Sequence, residues 1–307
     1  MQYFHITQFF IIFKVKYIMK RLLKEKLKSF IPDRLYLKYE YWHIMKRRLN
    51  LKNPRYYTEK LQWLKLYDRN IIYTKLVDKY LVKEYIENIV GEKYVIPTLA
   101  IWNNIEEIDI NSLPEKFVIK CTHDSGGVIV VTSKDELNES VIKNIIGEHL
   151  KYNYYYNARE WPYKNVKPRI LIEQYLDESG SKALGILNDY KFFCFNGKID
   201  SIMVCLERNR RKHPIYVFYS VKWERLYYQK DEPVLEAEVD IPINFNEMIE
   251  IVQKLCFGFK CIRVDLYNVN GKVYFGEYTF FNQAGFDLDI TEETDMYWGS
   301  LINLPKG

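Results

Sequence analysis

Two Asn-Gly pairs, Asn196-Gly197 and Asn270-Gly271, each sit between runs rich in β-branched and aromatic residues, and this arrangement commits the second half of the chain to hairpins. The runs are YKFFCF and KIDSIMVCL around the first pair, and CIRVDLYNV and KVYFGEYTFF around the second. RILIEQYL and PIYVFYSVKWERLYY add further strand signals. The sheet they build is antiparallel and not of the Rossmann kind, with one helical stretch, FNEMIEIVQKLCFGF, between them.

The first half reads differently. A basic helical pattern runs from Lys20 to Leu51, a second opens at Thr58 with its hydroxyl as cap, and Tyr73 to Asn88 continues in the same period. After Gly91 the short apolar runs IPTLAIW and KFVIKC introduce strands, and Ile142 to Tyr156 is helical again. The expected fold class is α+β, with antiparallel sheets preceded by a helical N-terminal region.

At 307 residues, 48% hydrophobic and 28% charged, the chain suffices for one large core or two smaller ones. Its 27 tyrosines suit half-buried strands better than nucleic-acid stacking, and no nucleic-acid partner is expected. Cys121, Cys194, Cys205, Cys256 and Cys261 are odd in number and lack zinc or redox spacing, which points to a reducing, cytoplasmic setting. Residues 1–60 carry 15 lysines and arginines against 4 acids, +11, so the remainder is −6 of a total of +5. The Lys20–Leu51 helix is therefore suited either to an anionic membrane surface or to packing on the main body. The apolar opening segment is too short and too diluted by polar residues to span a bilayer, and Met19 is a plausible start.

Three constellations carry candidate chemistry. In FVIKCTHDSGG a strand ends in Lys120 and a loop closes with Ser125, Gly126 and Gly127 before the strand VIVV. Glycines let backbone N–H groups approach phosphate oxygens and the lysine supplies charge; the alternative is a plain hairpin turn. In ILIEQYLD the strand finishes in Glu173, Tyr175 and Asp177, which suits either an adenine and ribose or a bare strand end. In the last hairpin Arg263 and Asp265 share a face and Glu277 lies on the partner strand, as a magnesium site shared with phosphates or as a structural ion-pair cluster.

Taken in order, KLQWLKLYDRN, DKYLVKEYI, IPTLAIW, LPEKFVIKCTHDSGG and GEYTFFNQAGF resemble the TupA-like branch of the ATP-grasp superfamily, from about Tyr57 to the C-terminus. The resemblance implies a nucleotide clamped between two subdomains and bound ATP and Mg2+. Lys120 would serve the adenine side and α-phosphate, the loop from His123 to Gly127 the β- and γ-phosphates, and Lys79 would be a supporting cation. Glu173, Gln174, Tyr175 and Leu176 match the segment that holds adenine, with Asp177 or Glu173 on the ribose. Lys191 matches a second phosphate-binding lysine, Asp265 and Glu277 the metal carboxylates, and Arg263 the arginine on the transferred phosphoryl group. Thr279 stands where many superfamily ligases place asparagine, with Asn282 as a candidate substitute.

The organisation expected on this basis is a basic extension over 1–56, a helical and mixed lobe over 57–115, one ATP-grasp subdomain over 116–180 and a second over 181–307. The implied activity is carboxylate-amine ligation through an acyl phosphate, modifying a bacterial cell-surface or capsular polysaccharide. The loop Arg208 to Pro214 is a candidate cradle for an anionic sugar or amino-acid substrate. The rival readings are a glycosyltransferase using Asp287 and Asp289 as a DxD pair, and a non-catalytic membrane-peripheral assembly protein.

Overall fold

The computed structural model describes residues 29–135, 137–177, 189–206, 214–233 and 239–305. The candidate loop from Arg208 lies outside these residues apart from Pro214, as does the helical pattern before Ser29 and the possible start at Met19. The chain forms two compact units interleaved in sequence. The first takes the described residues up to Leu37, Arg69–Val82 and Pro97–Tyr175; the second takes Lys38–Asp68, Lys83–Ile96 and those from Leu176 onward.

In the first unit four antiparallel strands follow the order β1-β4-β2-β3, with β1 Thr98–Trp102, β2 Phe117–Cys121, β3 Val128–Val131 and β4 Ile170–Gln174. Alternation along β2 and β4 sends Phe117, Ile119, Cys121, Ile170 and Ile172 to one face. There they meet Ile142 and Ile146, one turn apart on the helix Glu139–Leu150. The opposite face of the same strands carries Lys120 and Glu173.

The second unit is built on a six-stranded antiparallel sheet in the order β10-β9-β5-β6-β7-β8. The ranges are β5 Asp189–Phe195, β6 Lys198–Leu206, β7 Ile215–Ser220, β8 Arg225–Leu226, β9 Cys261–Val269 and β10 Lys272–Thr279. Both Asn-Gly pairs turn with positive φ at each residue, 47° and 70° for Asn196-Gly197 and 51° and 76° for Asn270-Gly271, as a tight hairpin requires. The helix Phe245–Leu255 buries Met248, Ile251, Val252 and Leu255, an i, i+3, i+4, i+7 stripe, against this sheet. Trp298, on the helix Glu292–Leu301, is fully buried between the rings of Phe193 at 4.6 Å and Tyr57 at 5.2 Å.

Several helices differ from the pattern in the sequence. We number them in chain order: α1 Asp33–Met45, α2 Tyr57–Tyr67, α3 Ile72–Val77, α4 Leu81–Val90, α5 Glu139–Leu150, α6 Tyr155–Ala158, α7 Phe245–Leu255 and α8 Glu292–Leu301. The described part of the first helical pattern stops at Met45, not Leu51, because Lys46 turns to φ 57°. Thr58 is not the cap of α2; it lies inside the helix and its hydroxyl donates to Asp295 Oδ2 at 3.0 Å. The Tyr73–Asn88 period is broken where Asp78 leaves the helix and its carboxylate accepts from the amides of Tyr80 and Leu81, starting α4. The Ile142–Tyr156 stretch is likewise two helices, α5 and α6. All five cysteines are buried free thiols.

Candidate functional site

Lys120 is the penultimate residue of β2, just before the glycine loop, and its ammonium pairs with the carboxylate of Glu173 on the neighbouring strand β4. The pair stands beside Val118 and Leu171, so a charged couple sits over an apolar floor, which suits the amino edge and the ring of a purine. Beyond it Gln174 is exposed, and Tyr175, Leu176 and Asp177 are half-buried with no strand pairing. The chain passes from the first unit to the second between Tyr175 and Leu176. In the second unit the Asp177 carbonyl accepts from Asn270 Nδ2 at 3.0 Å.

The loop after Lys120 is braced from inside its own unit. Cys121 N donates to Gly127 O at 2.7 Å, and Asp124 Oδ1 accepts from Gly127 N at 3.2 Å. A Cβ on Gly127 would lie 2.9 Å from both Asp124 carboxylate oxygens and from Cys121 Cβ, so only glycine allows this closure. The other Asp124 oxygen is 2.5 Å from His149 Nδ1 at the end of α5. Burial raises the Asp124 pKa, but the His149 bond and the Lys79 charge outweigh it and hold the carboxyl below its usual range. Lys79 donates to the carbonyls of Cys121, at 3.2 Å, and Asp124, so its supporting role falls on the loop backbone. The His123 ring is buried, with Nε2 3.0 Å from the His149 carbonyl, and burial lowers its pKa. What the loop presents outward is Ser125 and Gly126, whose amides have no hydrogen-bond partner among the described residues. Gly126 takes φ 131°. Exposed amides in such a turn are anion ligands.

In the second unit Lys191, Arg263, Asp265 and Glu277 come together. Lys191 on β5 is directly opposite Asp265 on β9, and Glu277 on β10 is opposite Asp265 on its other side. Counting back from the Asn270-Gly271 turn, regular pairing would set Gly276 against Asp265 and turn Glu277 to the other face. A bulge between Phe275 and Glu277 restores Glu277 to the site. Gly276 makes the bulge possible, because a Cβ there would lie 3.1 Å from both the Asp265 carbonyl and the Tyr267 ring.

Asp265 is buried, with Oδ1 accepting from Arg263 Nε at 2.7 Å and Oδ2 from Lys191 at 2.6 Å and Arg263 Nη2 at 2.7 Å. Burial pushes its carboxyl up, but the two cations outweigh that and hold it below the usual range. Lys191 and Arg263 show the converse: burial disfavours their charge, yet the carboxylates raise both pKa values. Asp189, 2.5 Å from Lys191, completes the set. Three carboxylates against two cations leave one excess acid, and Glu277 is half-exposed, with Oε1 3.6 Å from Arg263 Nη2. Among the described residues no group of three or more His, Cys, Asp or Glu side chains forms a metal cage by itself. Hard oxygens in this small number fit magnesium held jointly with phosphates.

Asn282 is tied to this cluster. It accepts from Arg263 Nη1 and donates to Asp287 Oδ2 at 2.8 Å. It opens a turn in which Gln283, Ala284 and Gly285 have φ of 47°, 51° and 68°, a costly run for two non-glycine residues. Gln62 and the fully buried Lys65 of α2 hold that turn, donating to the carbonyls of Gly285 and Ala284, each at 2.7 Å. Asp287 is itself buried and accepts from Asp289 N at 3.1 Å, so the first acid of the DxD pair is folded into this network while Asp289 is exposed. Asp124, His149, Asp189, Gly276, Gln62 and Lys65 were not singled out in the sequence. Of these, only the glycine inside a strand carries a local signal.

Residues 59–303 match the family model described as TupA-like ATPgrasp. No curated protein matches the chain. Among solved structures it is similar to D-alanine--D-alanine ligase from Helicobacter pylori (14% identity, 82% of this chain and 68% of that one, TM-score 0.45). It is also similar to the same ligase from Bacillus anthracis (17%, 78% and 63%, TM-score 0.41) and to N5-carboxyaminoimidazole synthetase from Staphylococcus aureus (14%, 76% and 53%, TM-score 0.38). The chain spans 53% to 68% of the length of these structures.

Proposed function

The chain belongs to the TupA-like ATP-grasp family, and from that premise we propose that it is an ATP- and magnesium-dependent ligase joining a carboxylate to an amine. The acceptor we infer is an anionic sugar of a bacterial cell-surface or capsular polysaccharide, or an amino acid destined for it. Lys120, Ser125, Gly126 and Gly127 take the phosphates, with Lys79 and His123 holding that loop from beneath. Glu173, Gln174, Tyr175, Leu176 and Asp177 take the adenosine. Asp265 and Glu277 would hold Mg2+, which when bound would neutralise charge on the phosphates. The γ-phosphoryl group leaves ADP and joins a substrate carboxylate; the amine then attacks that carbonyl carbon, expels phosphate and gives up a proton. Arg263 uses three of its five N–H groups on Asp265 and Asn282, which fixes its plane and leaves two for Glu277 and an anionic phosphoryl group. Lys191 holds a second positive charge in the same buried cluster. Such a site works by positioning and charge, without a protein nucleophile.

The reading is carried by one observation: three carboxylates and two cations are buried or half-buried together on adjacent strands, with a net charge that invites a divalent cation. Isothermal titration of the full chain with ATP should give magnesium-dependent binding. ADP release should rise when a uronic acid and an amino acid are both present. Asp265→Asn should abolish turnover while the chain still folds. Release of UDP from a nucleotide sugar, or ATP binding indifferent to magnesium, would overturn the assignment.

A further inference from the structure

Helix α1 is apolar on both sides, and among the described residues only one side is covered. Tyr36, Leu37 and Tyr41 are buried, and the Tyr36 hydroxyl donates to the Asn157 carbonyl at 2.8 Å. Leu35, Tyr39 and Trp42 point the other way, 60%, 58% and 56% exposed. At 3.6 residues per turn these i, i+4, i+7 positions fall within about 60° of one another, a single stripe. Phe30 and Ile31, just before the helix, are exposed as well. The sequence left open whether this helix faces its own body or a lipid surface; in the structure one apolar face is buried and a second is exposed.

The charge around the stripe has one sign. Every exposed charged side chain between residues 29 and 56 is a lysine or arginine, with Arg34 and Lys38 on α1 and Lys46 just past its end. The two half-buried acids of α1 are turned aside, and Asp33 is engaged by Arg69 at 3.0 Å and Arg159 at 3.3 Å. Residues 1–28 add seven lysines and arginines and one acid to the same end of the chain. Leu35 and Trp42 bring aliphatic and indole bulk that polar partners do not solvate, while lysine stems reach past such groups to place their charge in a headgroup layer.

We propose that the outward face of α1 is a docking surface for an anionic lipid bilayer, lying in the interface with Leu35, Tyr39 and Trp42 among the acyl chains and Lys38 and Lys46 at the headgroups. This is independent of the ligase reading, and no helix of the described residues is long and apolar enough to cross a membrane. The test is co-sedimentation of the full chain with vesicles of phosphatidylcholine, with and without phosphatidylglycerol. Binding is expected only to the anionic vesicles and should weaken with salt. The variant Leu35→Ser/Tyr39→Ser/Trp42→Ser should bind at least about tenfold more weakly with an unchanged thermal midpoint. Lys38→Glu/Lys46→Glu, which keeps the apolar stripe, should also lose binding at low salt. Equal binding by the serine variant overturns the proposal, since the residues before Ser29 would then suffice. So does absence of binding to anionic vesicles, a dimer that only the serine variant dissociates, or an RNA that competes the protein off the vesicles.

Discussion

The Asp124 side chain divides its two oxygens between separate tasks. One closes the loop onto the Gly127 amide and the other holds His149, so the two contributions can be separated by mutation. Asp124→Asn keeps an acceptor for Gly127 and removes the carboxylate that holds His149; Asp124→Ala removes both; His149→Ala removes only the partner. Bonds to charged groups contribute about 1.5–3 kcal/mol. The KM for ATP should therefore rise about tenfold in His149→Ala and Asp124→Asn and further in Asp124→Ala, with kcat changing less. Steady-state kinetics with three equal KM values would detach this brace from nucleotide binding. Lys191 was named only through the family resemblance, whereas Lys120 was conspicuous as a charge near the end of an apolar strand, and Arg263 and Asp265 as charges alternating within one. Their partners were not, because a histidine near the end of a helix or an aspartate in a loop looks the same paired or free.

At the scale of elements, hairpins were readable wherever two residues had to adopt positive φ, and Asn-Gly marks that need in the sequence. Helix interruptions were not, since the apolar period runs on through Asp78 while the carboxylate ends one helix and starts the next. The bulge at Gly276 is the costliest omission, because strict alternation would have sent Glu277 away from Asp265. Gly276→Val should force the Asp265 and Tyr267 strand aside. The thermal midpoint should fall in line with an overpacking cost of about 1–3 kcal/mol. The magnesium concentration for half-maximal turnover should also rise. A magnesium titration and melting curve matching the parent protein would show that the strand tolerates a side chain there.

Across the whole molecule, buried carboxyls respond to acid in opposite senses. Asp124 in the first unit and Asp265 in the second are held below their unfolded values, so the stability they contribute is present near neutrality and is lost as pH falls below about 4. Asp287 is raised to about 6, chiefly by burial. Its contribution is complete below about pH 4 and disappears as pH rises through 6. Asp287 should therefore contribute a climb in thermal midpoint from pH 7 toward pH 5, against the opposite pull of the buried His123, before the drop. Asp287→Asn should flatten the climb and leave the drop; a climb of equal size in that variant would assign it to another group.

The interleaving of the two units also bears on how the chain is made. A ribosome delivers the first unit complete by Tyr175, but Lys38–Asp68 has by then emerged without its partners. Tyr57 must wait for Trp298, and Thr58 for Asp295, until synthesis is nearly over. During that interval the faces of α2 that end up buried are open to solvent. Production of this protein should therefore depend on chaperone capacity and elongation rate more than its final packing would suggest, and no contiguous fragment contains either unit free of segments of the other.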